Sequence, residues 1–257
     1  MKKFIATTVL ALSSVLFAGE LTGRDIMVKV SDVPEGDTRS SEMDMKLISK
    51  NGSVRERKIT SFAMEEGKIT KQVMFFTYPK DVKGSGFLTV DYDEVGKSDD
   101  QWLYLPAMKK TRRISGSSSK TDYFMGSDFT YDDIGERNVD EDNHKYLRDE
   151  KVDGFDCYVV ESTPKNPADE VFSKKIMWIR KDILKVVAVD YFDKMGSLQR
   201  KFKTGDIKQI DGFWTIGKMR IDNVQSNHAT ELYFNNVKYN IKIDPKTFTV
   251  NKLERGL

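Results

Sequence analysis

The chain has 257 residues, with 42 lysines and arginines against 40 aspartates and glutamates, so its formal charge of +2 leaves no basic excess. Proteins that bind nucleic acid usually carry such an excess, and this composition argues against nucleic acid as a partner. The single cysteine, Cys157, excludes an intramolecular disulfide, so a hydrophobic core must hold the fold, and the chain is long enough to build one.

The N-terminal segment has the pattern of a secretory signal peptide. Lys2 and Lys3 form a positive start, an apolar run follows, and Ala18 supplies a small residue at the cleavage point. The apolar run is shorter than a membrane span requires. We therefore expect residues 1–18 to be removed on export to the periplasm, and residues 19–257 to form one domain. Without the two lysines the mature chain has 40 basic and 40 acidic residues.

A short helix and then many strands are predicted for the rest of the chain. Thr22 and Asp25 have the spacing of a capping box, and apolar residues recur after them at helical intervals. The period then changes to two, starting with EMDMKLI, and about a dozen strand-like segments follow. Turn dipeptides such as Asn51-Gly52 separate them. This pattern predicts an antiparallel meander, and a sheet of that many twisted strands tends to curl.

Several predicted strands are apolar on both faces, among them VMFFTY, QWLYLP, KIMWI and LKVVAVDY. A strand with one solvated face alternates cleanly, so both surfaces of this sheet need a cover. Few helices are predicted to supply it: the N-terminal one, a short one within residues 127–134, and a turn near Pro167. We therefore expect more apolar surface than these helices bury, and a hollow that a ligand fills. The dispersed methionines suit such an adaptable surface, but they suit an ordinary core as well.

No catalytic or metal motif is complete in the sequence. EVGKS, residues 94–98, resembles the end of a phosphate-binding loop but lacks its first glycine. His144 and His228 do not have metal-ligand spacing, and we expect both in solvated loops. GSSSK is not a nucleophile elbow, and Cys157 is expected to be a buried, inert thiol. The sequence therefore predicts a protein that is not an enzyme, with no cofactor and no metal; an exported hydrolase is an unsupported alternative.

A resemblance to a known family rests on QWLYLPAMKKTRRIS, followed by GSDFTYDDI, and on the terminal IDPKTFTV. These segments resemble the outer-membrane lipoprotein-sorting proteins, the LolA-like periplasmic carriers, and in particular the subfamily that occurs with efflux-type membrane transporters. The resemblance implies a mainly β fold: a strongly curved, incompletely closed antiparallel half-barrel, with a few short helices plugging the concave face where acyl chains are held. It brings no catalytic residues. Residues 109–133 form a longer loop than in the best-known carriers, and this departure favours a free lipid over a lipoprotein as the cargo.

Three sets of residues are candidates for the lipid site. The predicted cavity residues are Met74, Phe76, Leu88, Val90, Trp102, Tyr104, Met177, Ile179, Val187 and Val189. The predicted lid residues are Phe124, Met125 and Phe129. The cations predicted to contact an anionic headgroup or an acidic partner are Lys109, Lys110, Arg112 and Arg113. In the alternative interpretation these cations pair with nearby acids, namely Asp128, Asp132 and Asp133.

Two functions remain open from the sequence. The first is a periplasmic carrier that shields lipid, or the acyl chains of a lipoprotein, between membranes and contacts the membrane transiently. An efflux-type inner-membrane transporter is its implied partner. The second is a periplasmic sensor or adaptor on the same fold, which regulates a membrane protein in response to lipid. A carrier hands its cargo over, whereas a sensor changes its affinity for a partner.

Overall fold

The computed structural model describes residues 21–257, apart from the side chains of residues 117 and 169. The predicted signal peptide lies outside the described residues. The α-helices are α1, Gly23–Ser31, α2, Ser117–Thr121, and α3, Val250–Arg255. Single turns of 3-10 helix occur at Phe124–Gly126, Val139–Glu141, Pro167–Asp169 and Pro245–Phe248. Within the described range, no helix has the length and apolar character needed to cross a bilayer.

Strands make up most of the regular structure. The strands are β1 Thr38–Ile48, β2 Val54–Glu66, β3 Ile69–Tyr78, β4 Gly86–Tyr92, β5 Asp100–Leu105, β6 Lys110–Ile114, β7 Asp142–Val152, β8 Phe155–Pro164, β9 Phe172–Arg180, β10 Val186–Asp193, β11 Leu198–Gly205, β12 Lys208–Ile210, β13 Phe213–Thr215, β14 Lys218–Asn223 and β15 His228–Tyr239. The turn dipeptides of the sequence separate many of them, as predicted.

Thirteen of these strands form one antiparallel sheet in the order β6-β5-β4-β3-β2-β1-β15-β14-β11-β10-β9-β8-β7. The first and last strands of the chain's sheet, β1 and β15, meet at its centre, where Met45 lies opposite Leu232. β6 and β7 lie at its two edges, so the sheet does not close into a barrel. β12 and β13 pair separately. The predicted fold, a mainly β and incompletely closed antiparallel half-barrel, is confirmed.

The predicted N-terminal helix is confirmed as α1. The Thr22 side chain accepts from the Asp25 backbone N–H at 3.1 Å, and the Asp25 carboxylate accepts from the Thr22 N–H at 3.0 Å. Ile26 is fully buried against the face of β8–β10 that carries Met177. Gly23 allows the helix to touch the edge strand, because a Cβ there would lie 2.6 Å from the backbone nitrogen of Tyr146.

The helix predicted within residues 127–134 is wrong. The nearby helix, α2, lies earlier in the chain, and residues 127–134 form turns. Asp133 Oδ2 accepts from the Thr130 N–H at 2.8 Å, and the Asp133 N–H donates to Thr130 Oγ1 at 3.1 Å. This reciprocal pair has the pattern of a capping box, as at the start of α1, but only a turn at residues 132–134 follows it.

The concave face is apolar from one half of the sheet to the other. Met45 at the centre, Phe87 and Leu103 towards β6, and Ile221 on β14 are all nearly inaccessible to solvent. Side chains from residues 115–141 lie over them, and α1 covers the part on β8–β10. The concave face is therefore filled by the chain itself.

Over β2–β5 the convex face is apolar as well, and the C-terminal segment covers it. Val73, Phe75 and Leu88 are at most 2% exposed there. Leu253 of α3 is fully buried on top of this surface. Gly86 makes the contact possible, because a Cβ at that position would lie 2.6 Å from Leu253 Cδ1.

The expected surplus of apolar surface is therefore not left open. The sequence patterns predict covers only at the N-terminus, within residues 127–134 and near Pro167, and do not predict α3. In the structure, residues 115–141, which are largely irregular, bury the surplus on the concave face, and residues 243–255, which are mostly helical, bury it on the convex face. An acyl chain needs the covering segment on the concave side to move.

Replacing Leu253 with alanine is expected to lower the free energy of unfolding by about 2–5 kcal/mol, because it leaves a cavity under a fully buried side chain. Urea denaturation followed by circular dichroism measures this. Leu257→Ala is the matched control: Leu257 is 63% exposed, and a change of less than about 0.5 kcal/mol is expected. Equal effects of the two substitutions would contradict the role given to the C-terminal segment.

Candidate functional site

The connection between β6 and β7 has to cross the hollow of the sheet. The two strands follow each other in the chain, yet they form opposite edges. Residues 115–141, here called the plug, therefore run across the concave face. The plug contains α2 and little other regular structure, so side-chain contacts hold it in place. These contacts define the candidate site.

Aromatic side chains form the centre of the plug. The Phe124 ring is fully buried, with its centroid 5.2 Å from that of Phe87 on β4 and 5.6 Å from that of Tyr131. The Phe129 centroid lies 6.4 Å from that of Phe202 on β11. Tilted and edge-on pairs at these distances are favourable beyond simple burial. The plug thus packs against both halves of the sheet.

Buried polar contacts fix the plug at its centre. The Asp128 carboxylate accepts from the Thr230 hydroxyl at 2.8 Å and lies 2.7 Å from His228 Nδ1. Arg200, only 3% exposed, donates to the Asp128 carbonyl at 3.0 Å and pairs with the Asp133 carboxylate. Burial pushes the pKa of Asp133 upward, but the Arg200 charge outweighs it and holds that pKa below its ordinary value. Moving the plug would leave Arg200 buried without its partner, so the plug is held firmly.

The expectation that both histidines are solvated is wrong, although His228 does begin a strand after a turn. His144 and His228 are strand residues, and each ring is hydrogen-bonded. His144 Nδ1 lies 2.6 Å from Ser162 Oγ, and its Nε2 lies 2.8 Å from the Val139 carbonyl oxygen. His228 contacts Asp128 of the plug. Their place in the fold is structural.

Two carboxyl groups contact each other where β4 and β5 meet the plug. Asp91 is 4% exposed and accepts from the Thr89 hydroxyl at 3.0 Å, while Asp99 accepts from the Tyr92 N–H at 3.3 Å. Burial and then the neighbouring Asp99 raise the pKa of Asp91 to about 8, and burial raises the pKa of Asp99. Gly135 of the plug packs on this pair, since a Cβ there would lie 2.5 Å from Asp91 Oδ1.

A cavity of about 480 Å³ lies on the open side of the sheet and is here called the seam cavity. Its walls are the β4–β5 turn, the end of β6, the plug and residues 165–170. Most of the side chains that line it are charged or polar. It is therefore not the apolar cavity that the strand pattern predicted.

The ten predicted cavity residues do not share one surface. On the concave face beneath the plug lie Met74 and Phe76. On the concave face against α1 lie Met177, Ile179 and Val189. On the convex face beneath the C-terminal segment lie Leu88, Trp102, Tyr104 and, by strand alternation, Val90. Val187 lines a separate shallow pocket with Phe155 and Arg180.

The prediction for β4 and β5 is wrong by one residue in register. Phe87 and Leu103 face the plug, and their neighbours Leu88 and Trp102 face outward. Both faces of these strands are buried, so their apolar residues give no sign of direction. A charge at Leu88 would disturb the C-terminal segment and would not test lipid uptake. Lipid binding by the concave-face residues stays a prediction.

The predicted lid residues lie inside the hollow and do not cover a mouth. Phe124 and Phe129 are buried in the concave core. Met125 is half-buried, has a φ of 48°, and its carbonyl accepts from Arg57. The segment fills the space that an acyl chain would occupy, which is a different role from closing over one.

The four cations predicted to contact a headgroup do not have the same surroundings. Lys109, Lys110 and Arg112 are exposed in and after the β5–β6 turn. Arg113 is also exposed, but it pairs with Asp100 on the neighbouring strand. Arg112 hydrogen-bonds the Tyr131 side chain of the plug, so Lys109 and Lys110 remain available to an anionic surface.

The alternative pairing of these cations with the acids of the plug is wrong. Asp128 contacts His228, and Asp133 pairs with Arg200. Asp132 has no ion pair among the described residues. Asp128 and Asp133 thus contact residues of the core, and Asp132 lines the seam cavity.

Comparisons with known proteins agree with this architecture. The model of a family described as an uncharacterized protein matches residues 68–255. A DUF1329 family protein from Desulfovibrio piger is 33% identical, with 90% of this chain and 97% of that chain covered and a TM-score of 0.85. The chain belongs to the DUF1329 family. No curated protein matches it.

Two further solved structures extend the DUF1329 comparison. A putative outer membrane lipoprotein-sorting protein domain from Vibrio parahaemolyticus is 30% identical, covering 91% of this chain and 98% of that chain, with a TM-score of 0.84. A LolA superfamily protein from Nitrosomonas europaea is 16% identical, covers 91% and 100%, and has a TM-score of 0.68, which shows a shared fold. The resemblance to the lipoprotein-sorting, LolA-like proteins is confirmed.

Metal ligation and thiol reactivity depend on how the described side chains of this DUF1329 family member are arranged. Within residues 21–257, no three His, Cys, Asp or Glu side chains are placed to hold a metal ion. Cys157 is buried, and burial raises the pKa of its thiol, so the reactive thiolate is disfavoured.

Sequence reasoning missed the buried polar residues that fix the plug in this DUF1329 fold. A signal was present: Arg200 alternates with Phe202, so it lies on the apolar face of β11. Asp91 likewise alternates with Phe87 on β4. A charge on an apolar strand face needs a buried partner, and the partners of these two lie on the plug and the adjoining β4–β5 turn.

Asp91→Asn is expected to stabilise the protein near pH 8. Because the folded-state pKa of Asp91 lies above its ordinary value of 3.8, the folded state holds a proton that the unfolded state loses. Stability is complete below the ordinary pKa and declines as pH rises towards about 8. Asparagine keeps the neutral state, so the decline between about pH 5 and pH 8 should shrink by about 1 kcal/mol or more.

Urea denaturation across that pH range measures the effect. Asp190→Asn is the control, because Asp190 lies on β10, away from the plug, and pairs only with Lys201 at 4.0 Å. It should keep the wild-type pH dependence. An unchanged pH dependence in Asp91→Asn would contradict a buried, protonated carboxyl pair.

Proposed function

We propose that this protein is a periplasmic carrier that binds the acyl chains of a lipid or a lipoprotein on the concave face of its sheet. The observation that carries the proposal is a continuous apolar concave face filled by an irregular segment, the plug. The LolA-like fold supports it, as does the similarity to a putative lipoprotein-sorting domain. In this proposal the plug and the acyl chain occupy the same space in turn.

The free energy gained by burying an acyl chain is comparable to the free energy lost when the rings of the plug leave the hollow. Burying a side chain of phenylalanine size contributes about 1.5–3 kcal/mol, so Phe124, Phe129 and Tyr131 contribute roughly 5–9 kcal/mol together. An acyl chain of about 16 carbons contributes about 0.8 kcal/mol per methylene, or roughly 12 kcal/mol when fully buried. Burial of the acyl chain therefore offsets the lost burial of the three rings and leaves a few kcal/mol for breaking the polar contacts of the plug.

Cargo exchange requires an approach to a membrane, and the β5–β6 turn suits this contact. Lys109, Lys110 and Arg112 are exposed there, and Met108 next to them is 62% exposed. Each basic residue near an anionic leaflet contributes about 1 kcal/mol. We expect a transient electrostatic contact. An efflux-type inner-membrane transporter as the partner stays a prediction.

Removing the Phe124 ring is expected to increase acyl-chain binding several-fold, because Phe124→Ala leaves room in the concave core. Titration with a fluorescent fatty acid measures the affinity, and solvent extraction with mass spectrometry detects lipid that copurifies. Phe248→Ala is the matched control, since Phe248 is equally large and is 6% exposed on the convex face. Melting temperatures verify that both variants fold.

The control should bind fatty acid as the wild type does. The carrier proposal fails if neither the wild type nor Phe124→Ala takes up any acyl chain. It also fails if Phe124→Ala and Phe248→Ala alter uptake equally, because the binding then does not distinguish the two faces.

The membrane contact is tested by reversing two charges of the exposed turn. The double variant Lys109→Glu, Lys110→Glu is expected to lose at least roughly tenfold in binding to anionic vesicles. Co-sedimentation at low salt measures it. The double variant Lys201→Glu, Lys203→Glu changes the same net charge on exposed positions of β11 and should bind almost as well as the wild type. An equal loss in both would show a response to net charge and not to the turn.

A further inference from the structure

The seam cavity is lined by more carboxylates than it has free cations. Lys97, Lys120, Arg137 and Lys165 line it, and each already faces an acidic partner: Glu94 at 3.4 Å, Glu170, Asp142 at 2.7 Å and Asp140 at 3.9 Å respectively. The carboxylates of Asp99, Asp132 and Glu136 also line it and form no ion pair within the described part of the chain. Lys175 on β9 and Lys120 attract the Asp132 carboxylate electrostatically, but the six lining carboxylates still outnumber the four lining cations.

Two deeply buried oxygens at the same walls lack donors. Gln101 is 2% exposed; its Nε2 donates to the Tyr131 carbonyl at 3.1 Å, and its Oε1 has no partner among residues 21–257. Glu170 is 5% exposed; its Oε1 accepts from Lys120 and Arg137, while its Oε2 has no donor in the described residues. Buried acceptors without donors are costly, so these walls are suited to a ligand that carries N–H groups.

The polar groups of the cavity walls limit the class of ligand that fits. The described residues contain no cluster of three His, Cys, Asp or Glu side chains arranged for a metal ion. An ammonium group supplies a positive charge for the excess carboxylates and several N–H donors for the two buried oxygens. At about 480 Å³ the cavity has the size of a small-molecule site.

We propose that the seam cavity binds a primary ammonium group, carried by a small free amine or by the headgroup of an aminophospholipid, with Asp132 and Glu136 as its counter-charges and Gln101 and Glu170 as acceptors. A ligand there contacts β5, the plug and residues 165–170 together, and so joins the two edges of the open sheet. The free-amine form stands by itself. The headgroup form rests on the proposed carrier function.

The occupied cavity is expected to respond to pH. Burial raises the pKa of Asp99, Asp132, Glu136 and Glu141, and the neighbouring Asp91 is held protonated as well. A bound cation favours the charged carboxylates, so its binding releases protons and weakens as the pH falls.

Calorimetric titration of the full chain with ethanolamine and with putrescine tests the proposal. We expect saturable binding at one site, and binding of choline at least roughly tenfold weaker because a quaternary ammonium has no N–H donor. A vesicle arm distinguishes the sources. Capture by phosphatidylethanolamine vesicles over phosphatidylcholine vesicles indicates a headgroup, whereas binding of free amines without this preference indicates a soluble amine.

Variants that replace a single carboxylate of the seam cavity with a neutral amide test whether the amine binds there. Asp132→Asn and Glu136→Gln are each expected to weaken amine binding roughly tenfold. Asp132→Asn should also raise the melting temperature of the free protein, because it removes a partly buried charge that has no ion pair among the described residues, whereas Glu136→Gln, at an exposed position, should leave the melting temperature unchanged. A merely unfolded variant would change both readouts in the same direction. Asp190→Asn, away from the cavity on β10, should leave amine binding unchanged.

The proposal is overturned if ethanolamine, putrescine and phosphatidylethanolamine vesicles all fail to bind, or if Asp132→Asn and Asp190→Asn bind amines equally. The same experiments distinguish a failure of the ammonium-site proposal from a failure of the carrier proposal. Amine binding without fatty-acid uptake removes the carrier alone, and fatty-acid uptake without amine binding removes the ammonium site alone.

Discussion

The position of β6 and β7 at opposite edges of one sheet is the constraint on which the rest of the structure depends. The two strands are consecutive, so the chain between them has to pass over the concave face. This passage puts Phe124 and Phe129 into the hollow, where a closed barrel would have carried side chains of its own strands. It also leaves the open side of the sheet lined by the flanks of the plug, and there the seam cavity forms.

The two covers of the sheet differ in how permanently they are fixed. On the convex face Leu253 packs directly over Gly86, and the contacts are apolar. On the concave face the plug has apolar rings but is oriented by buried polar groups, above all Arg200 with Asp133. Polar contacts are directional and are lost together when the backbone moves, whereas another apolar group can replace the rings. In the proposed carrier, exchange with an acyl chain therefore takes place on the concave face.

The sequence predicts much of the architecture and little of the site. Alternation, turn dipeptides and the capping box at Thr22 give the strands, the hairpins and α1, because these signals are local. The direction of the side chains in β4 and β5 is not local: when both faces are buried, Phe87 and Leu88 look alike. The crossing of the plug also depends on which strands become edges, a property of the complete sheet. The lone Arg200 on an apolar strand face was the readable sign of a buried partner.

The plug changes character within one residue, and this links the two halves of the site. Tyr131 is buried among the rings of the concave core, and Asp132, which follows it, lines the charged seam cavity. An apolar surface and an anionic cavity thus share one wall. A ligand with an acyl chain and an ammonium headgroup has the same two-part chemistry, with its charged end at the open side of the sheet. Because the same short segment borders both regions, movement of the plug alters the hollow and the cavity together.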